Sequence, residues 1–542
     1  MNKPVDPAVA GLAAAASARG SGPAREAGPS LRSWLETLEA HNQLRRIDVP
    51  VDWDEEIGAI ARVNIALQGP GLFFRNIRDY RETTSTKFVT CGIANKAQVR
   101  LMLGLPEDAG DKETVRHLKD AYRKPIRPVT VDHGPCKENV LTGDAIDLEQ
   151  FPAPRWHATD GGKFIDTFCG VITHDPATDR PNIGLYRGQV LGPAKIGKLL
   201  VPTQGWGDHF LKYRDAKGRM PVAVSYGWHD VMPFCAGSPF PKHVCEWDMM
   251  GAILGRPVEL IDCETVPLQV PASSEIVVEG WIDPDPSTWE MEGPFADYPG
   301  YLGGKPSPKP VVEVSCVTHR HDPIMRGALE GARPGFPSED SLLCAYSWSA
   351  IAWNMLEDAG VSGITDVWMP PVVTGCNIVV QVRKQYRGHA QQIGMALWGT
   401  SAGQWFFKNV MVVEEDIDIR DAEALEWAYA FRVNAGRGDV WLVGPTYGSV
   451  LDPSTLREDR DVKAYGTGKW TRTLIDATRS WEHAPNPDWD GNRWPPVNTI
   501  DPDLERKVAA RWREYGIGVP YLDDAQRERL TLEETRKVLK DL

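Results

Sequence analysis

The sequence has nine cysteines but no CxxC pair and no zinc-type spacing. The cysteines stand singly, from Cys91 to Cys376, and their number is odd. That excludes a disulfide framework and fits reduced thiols in a cytoplasmic protein. No apolar run approaches the roughly 20 residues that a membrane helix needs. The alanine-rich "AVAGLAAAASARG" imitates a signal peptide, but Asp6 precedes it and Lys3 is its one nearby cation. It is read as part of a tail, without secretion. Positive charge is also scarce. The formal net charge of −14 argues against a nucleic-acid or anionic-membrane partner, though a local basic pocket is compatible with it. The patterns GxGxxG, GxxxxGK[ST], HExxH and GxSxG do not occur, which counts against a Rossmann dehydrogenase, a P-loop NTPase, a zincin and an α/β-hydrolase. There are no internal repeats.

What is present suits a soluble globular protein of two or three domains. The chain has 542 residues, 42% of them hydrophobic and 25% charged. Residues 1–29 are rich in Ala, Gly, Ser and Pro and lack an amphipathic period, so they read as a disordered tail. "SLRSWLETLEAHNQL" opens the fold as a helix, with Ser30 as cap and Leu31, Trp34, Leu35 and Leu38 on one face. "GLFFRNI" and "KFVTCGI" read as strands, and "RKPIRPVTVDHGP" as a connector. From about residue 140 to 330, short β segments dominate: "TFCGVITHD", "MPVAVSYG", "VELIDCE", "SEIVVEGWI" and "PVVEVSCVTH". Such a series predicts a barrel or sandwich, here with one helical insert, "GWGDHFLKYRDA". After "PGFPSED" helices and strands alternate, which predicts an α/β domain. The C-terminal "LTLEETRKVLKDL" reads as a helix with a capping box from Thr531 to Glu534.

Four stretches carry residues suited to chemistry. In "EGPFADYPGY", Glu292 and Asp297 sit on a loop stiffened by Pro294 and Pro299, either as a solvated turn or as acids held for proton transfer. In "RPNIGLYRGQV", Asn182 and Arg187 are an odd number apart, so an ideal strand puts them on opposite faces. Gly184 between them marks a bulge or a close backbone approach to a ligand. Arg187 reads as a rim salt bridge or as the partner of a carboxylate or phosphate. In "SPFPKHVCEWDMMGAILGRPVEL", Glu246 is a first-turn helix acid or a hard oxygen ligand for manganese or magnesium. In "GQWFFKNVMVVEEDIDI", Lys408 is a surface lysine or a phosphate contact, and the acids from Glu414 to Asp418 read as a solvated strand end.

Taken in order, "NIGLYR", "MPVAV", "EWDMMGAILGRPVEL", "VPASSEIVVEG", "EGPFADYPGY", "KNVMVVEEDIDI" and "LDPS" resemble the UbiD family of reversible decarboxylases, which use prenylated FMN. The resemblance implies an α+β / α/β fold in five parts. These are a tail over 1–29, an N-terminal α/β portion over 30–135, and a central split β-barrel flavin-binding domain over 136–332. A C-terminal α/β oligomerisation domain over 333–500 and a helical extension over 501–542 follow. It further implies that Arg187 orients the substrate carboxylate, that Glu292 tunes it, and that Asp297 is the proton donor. Leu185, Tyr186, Gln204 and Gly205 fall where the flavin is wrapped, and Lys408 at its phosphate. Asn182 and Glu246 match ligands of a divalent ion, usually Mn2+. Where several members carry a ligating His this chain has Gly205; either His209, about one helical turn on, substitutes, or the ion has fewer protein ligands. Ala236 and Ser238 match a potassium site.

The expected activity is decarboxylation of an aromatic, heteroaromatic or α,β-unsaturated acid, extending to an aromatic acyl-CoA such as phthaloyl-CoA. A flavin prenyltransferase would supply the cofactor, and the assembly would be a homodimer or homohexamer. The alternatives are a non-catalytic flavin or phosphate binder and a flavin-independent metal hydrolase.

Overall fold

The computed structural model describes residues 29–331, 337–373, 375–460, 468–489 and 491–522. The Ala-rich stretch and the helix predicted near the C-terminus lie outside these residues. The first helix, Leu31–Ala40, starts where the sequence places it. Ser30 and Ser33 form a reciprocal capping box, and Leu31, Trp34, Leu35 and Leu38 are buried. The predicted strands at "GLFFRNI" and "KFVTCGI" become Gly71–Phe74 and Lys87–Thr90 in a four-stranded sheet. Its fourth strand, Ile324–Arg326, arrives from the far end of the central segment and pairs in parallel with Lys87–Thr90.

The central segment forms one curled sheet. Its path runs Phe164–Asp166, Gly188–Gly192, Lys195–Lys198, Val311–His319, Ile276–Ile282, Met220–Tyr226, Gly170–His174 and Pro181–Gly184. Asn139–Thr142 adds to Val311–His319 beside this path. The two end strands, Phe164–Asp166 and Pro181–Gly184, do not pair, so the barrel is split. Val- and Ile-rich runs build it, and Met220–Tyr226 is buried along its whole length. "VELIDCE" departs from the prediction. Its strand, Glu259–Asp262, lies in a separate three-stranded sheet with Gln269–Pro271 and Val129–Thr130. Side-chain period identifies a strand but carries no information on which sheet accepts it.

One connection positions the site. Pro181–Gly184 lies at one edge of the split sheet, and Gly188–Gly192 is second from the other edge. Three residues, Leu185, Tyr186 and Arg187, cross between them. From Gly184 to Gly188 such a link reaches roughly 14 Å when fully extended, which keeps the two rims close.

The C-terminal part is a mixed five-stranded sheet in the order Ile364–Trp368, Asn377–Val382, Asn409–Glu414, Gly468–Asp476, Val440–Gly448. Helices Ser349–Asp358, His389–Trp398 and Ala422–Arg432 accompany it. Of the acids predicted to form a solvated strand end, Asp418 is exposed but Glu414 and Asp416 are not left to solvent. Glu414 accepts from Arg479, and Asp416 pairs with Arg432, whose side chain is buried with it.

A buried charge cluster joins the three parts. Arg326 donates to both oxygens of Asp230, at 3.1 and 3.0 Å, and to Glu339 at 2.6 Å. Glu339 also accepts from the backbone N–H groups of Cys91 and Ile93, and Asp230 from the indole of Trp34. The Arg326 and Asp230 side chains are 1% exposed and that of Glu339 is 0%. Deleting the cation strands two desolvated carboxylates. Arg326→Met should therefore cost about 3–5 kcal/mol, read as a lowered midpoint in urea unfolding followed by circular dichroism. An unchanged midpoint would show that the cluster contributes no net stability.

Candidate active site

The crossing segment is fixed from below. Lys198, with a fully buried side chain, donates to the carbonyl of Tyr186 at 2.7 Å and to Asp166 Oδ2 at 2.5 Å. Tyr226 donates to the other oxygen of Asp166. The Tyr186 ring stacks on Trp206, with centroids 4.4 Å apart and planes 8° from parallel. It also lies against Gly184, where a Cβ would fall 2.3 Å from the ring. The Tyr186 ring thus makes a close approach at Gly184. Because the strand ends at Gly184, the alternation predicted between Asn182 and Arg187 is broken by the crossing, and both side chains line one cavity.

Arg187 meets both acids of the stiff loop. Its Nε and Nη2 donate to Glu292 Oε1 and Oε2 at 2.9 and 3.0 Å, and its Nη1 donates to Asp297 Oδ2 at 2.8 Å. Glu292 ends the strand Glu290–Glu292, which pairs with Ser307–Lys309. An Ala296–Leu302 bridge continues this hairpin toward Asp297. Gly293, at φ 90°, donates to Gln189 Oε1, and Ala296 donates to Asp160 Oδ1. Phe295 packs on Phe164 and lies 5.4 Å below the guanidinium. The loop is thus buried and tied down, which settles the solvated-turn reading against it. Burial alone would lower the Arg187 pKa, but the charges of Asp297 and Glu292 more than offset this, and it lies above its ordinary value.

The cavity beside this cluster has a volume of about 480 Å³. Its other walls come from the helix Gly205–Asp215, from the Ala236–Ser238 turn and from the C-terminal part. Leu185, Tyr186, Gln204, Gly205, Asn182, Glu246 and His209 all line it, as do Ala236 and Ser238. Gly205 leaves room for Asn182, since a Cβ there would lie 1.8 Å from Asn182 Oδ1. Ile183 N–H reaches Glu246 Oε2 at 3.4 Å, which joins Glu246 to the strand that carries Asn182. Glu246 is the first residue of the helix Glu246–Leu254. Burial pushes its carboxyl up to about 8. His209 shares a hydrogen bond with Thr173 Oγ1, and burial pushes its pKa down to about 4, so the ring is neutral near pH 7. Among the described residues no three His, Cys, Asp or Glu side chains cluster as a metal site, and this group holds two of those types plus an Asn. The Ser238 hydroxyl is engaged with the carbonyl of Phe234 and with Ser347.

Lys408 is not brought to the cavity. Its ammonium is bound by Asp452 at 2.7 Å and Ser454 at 2.5 Å, both in the "LDPS" segment. The helix Gly205–Asp215 starts on the cavity wall. Gln204 gives that helix no side-chain cap, and the buried hydroxyl of the neighbouring Thr203 has no partner.

Sequence reasoning missed four residues here. Lys198 and Asp166 lie in ordinary strand segments and gave no local signal. Glu330 and Asp340, also on the cavity wall, flank "GARPGFPSE", a Gly/Pro-rich break taken only as a boundary. In the helical stretch after it, Cys344–Trp348 forms a π-helical turn, and Cys344 and Trp348 face the cavity.

Family models of the 3-octaprenyl-4-hydroxybenzoate carboxy-lyase match the chain in three places. The N-terminal domain matches residues 35–118, the Rift-related domain 127–333 and the C-terminal domain 341–477. A Synechocystis protein, sll0936, is 31% identical over 513 residues, covering 90% of this chain and 96% of its own. The closed form of the vanillic acid decarboxylase of Sedimentibacter hydroxybenzoicus superposes with a TM-score of 0.80 at 28% identity, over 91% of this chain and all of that one. The UbiD-class enzyme HmfF of Pelotomaculum thermopropionicum, in complex with FMN, gives 0.72 at 30% identity, over 88% of this chain and 98% of its own. An evolved dimeric form of HmfF is in complex with prFMN. With the split barrel and its neighbours in agreement, the chain belongs to the UbiD family of carboxy-lyases.

Proposed function

We propose that this chain reversibly decarboxylates an aromatic, heteroaromatic or α,β-unsaturated acid, with prenylated FMN in the 480 Å³ cavity. The observation that carries this reading is the Arg187 fork between Glu292 and Asp297 at the cavity wall. When bound, the flavin supplies the electron sink that a carbanion left by CO2 requires. Leu185 and Tyr186 would flank it, and the uncapped helix start at Gln204–Gly205, with Thr203, suits its phosphate. Asn182, Glu246 and His209 offer hard oxygen and nitrogen donors to a divalent ion. The buried Glu246 carboxyl is a poor resident without such an ion, since burial is what raises its pKa.

The protein's own groups then divide the work. Three of the five N–H donors of Arg187 are used by the two acids, which leaves two for a substrate carboxylate. Glu292 takes two of the three bonds and fixes the guanidinium plane. A substrate anion brings a third carboxylate to a single cation, which favours a proton on one of the acids. Asp297, the more exposed of the pair at 10% against 0%, is the one that can deliver it to the carbon that CO2 leaves. Self-association fits the exposed apolar side chains of the C-terminal part. Trp427 and Phe431 on the helix Ala422–Arg432 are 41% and 68% exposed, and Leu442 on the sheet's edge strand is 72%.

Co-expression with a flavin prenyltransferase should give a protein with a flavin absorbance spectrum that releases CO2 from an aromatic acid under anaerobic conditions. Asp297→Asn should lower turnover by at least about 10²–10⁴-fold and leave the flavin spectrum intact. Retained turnover in that variant would remove Asp297 as proton donor, and activity without any flavin would favour a hydrolase.

Divalent-ion binding should also depend on pH. Below about 8 the Glu246 carboxyl holds a proton that the ion must displace, whereas neutral His209 holds none to lose. Mn2+ affinity, measured by calorimetry, should therefore rise about tenfold per pH unit from 6 toward 8 and then level off. A flat profile would take Glu246 out of the ligand set.

A further inference from the structure

Two further carboxyls face the cavity next to Asp297. Glu330 and Asp340 share its wall with Leu343, Cys344 and Trp348. Glu330 is held in place through its backbone. Arg62 donates to the carbonyl of Glu330 at 2.9 Å and to that of Gly331 at 2.6 Å. A Cβ at Gly331 would lie 3.4 Å from the carbonyl oxygen of Asp297. The pair therefore stands beside the proton-donor loop. Asp340 Oδ2 is buried and has no hydrogen-bond partner. Arg187, the cation whose field reaches Glu330, is already committed to Glu292 and Asp297. Desolvation pushes both carboxyls up, Asp340 to about 7 and Glu330 well above the carboxylate range; the charges of Glu339 and Asp297 add to it at Asp340, and those of Asp340 and Asp297 at Glu330.

A buried carboxylate oxygen without a donor, as at Asp340 Oδ2, is costly, and leucine or threonine would fill the same space without that cost. Such a departure from cheap packing marks a group kept for what enters the cavity. A carboxyl whose oxygen lacks a donor is matched by a ligand that brings one. Resting on the decarboxylase reading, which puts the substrate carboxylate at Arg187, we propose that Glu330 and Asp340 are the specificity residues of this site. They accept a hydrogen bond from a hydroxyl or ring N–H on the substrate's aromatic ring.

The test measures binding and turnover in the flavin-loaded enzyme with matched acids. 4-Hydroxybenzoate is compared with benzoate, and pyrrole-2-carboxylate with furan-2-carboxylate. The donor-bearing member of at least one of the two pairs should bind about 10- to 100-fold more tightly by calorimetry. Asp340→Asn and Glu330→Gln, which keep side-chain shape, should each shrink the donor preference and leave the affinity of the donorless acid near its wild-type value. Wild-type binding that ignores the donor, no binding at all, or a preference that survives both substitutions overturns the proposal. A preference that holds while no acid releases CO2 supports the proposal and overturns the decarboxylation reading alone.

Discussion

The site depends on one guanidinium held between two carboxylates. Arg187 is fixed by its fork onto Glu292 and Asp297, and each acid is fixed in turn by a loop bonded to Gln189, Asp160 and the neighbouring backbone. A lone arginine in a nearly dry wall would be expensive. Here the charge is compensated by the two acids that fork it, and the cluster is self-consistent before any ligand arrives. It carries one more negative than positive charge when fully ionised.

The layers around this cluster show how distant sequence segments reach it. The split barrel brings its rims together through a short crossing, and Lys198 and Asp166 anchor that crossing from the barrel side. The C-terminal part closes the cavity from the other side. Tyr298, next to Asp297 in the chain, shares a hydrogen bond with Ser449 at 3.0 Å, so the loop that carries Asp297 is tied to the opposite wall. The Arg326 cluster performs the matching task away from the cavity, where the N-terminal sheet, the barrel and the first C-terminal helix meet.

Much of this was legible because the chemistry sits in short, compositionally odd stretches. "EGPFADYPGY" combines two acids with two prolines, and "NIGLYR" puts an arginine among apolar residues. Both stood out before any coordinates, and both proved to face the cavity. Helix starts were legible wherever a side-chain cap fixes them, as at Ser30. What could not be read depended on the path of the chain through space. The Asn182–Arg187 alternation failed because a strand ended between them. "VELIDCE" looked like its neighbours but joined another sheet. The partners of Lys408, Asp452 and Ser454, lie over forty residues away in the chain and left no mark on its own segment. Glu330 and Asp340 were invisible as a pair because nothing in their own segments shows that both line one cavity wall.

The crossing from Leu185 to Arg187 has a consequence for how this protein can diverge. With Tyr186 pinned at both its carbonyl and its ring, there is no slack to absorb an inserted or deleted residue. Either change would rotate the arginine away from its acids or pry the seam of the barrel apart. Descendants of this sequence are therefore free to alter what they accept only by exchanging side chains on the facing wall, while the length of this bridge stays locked.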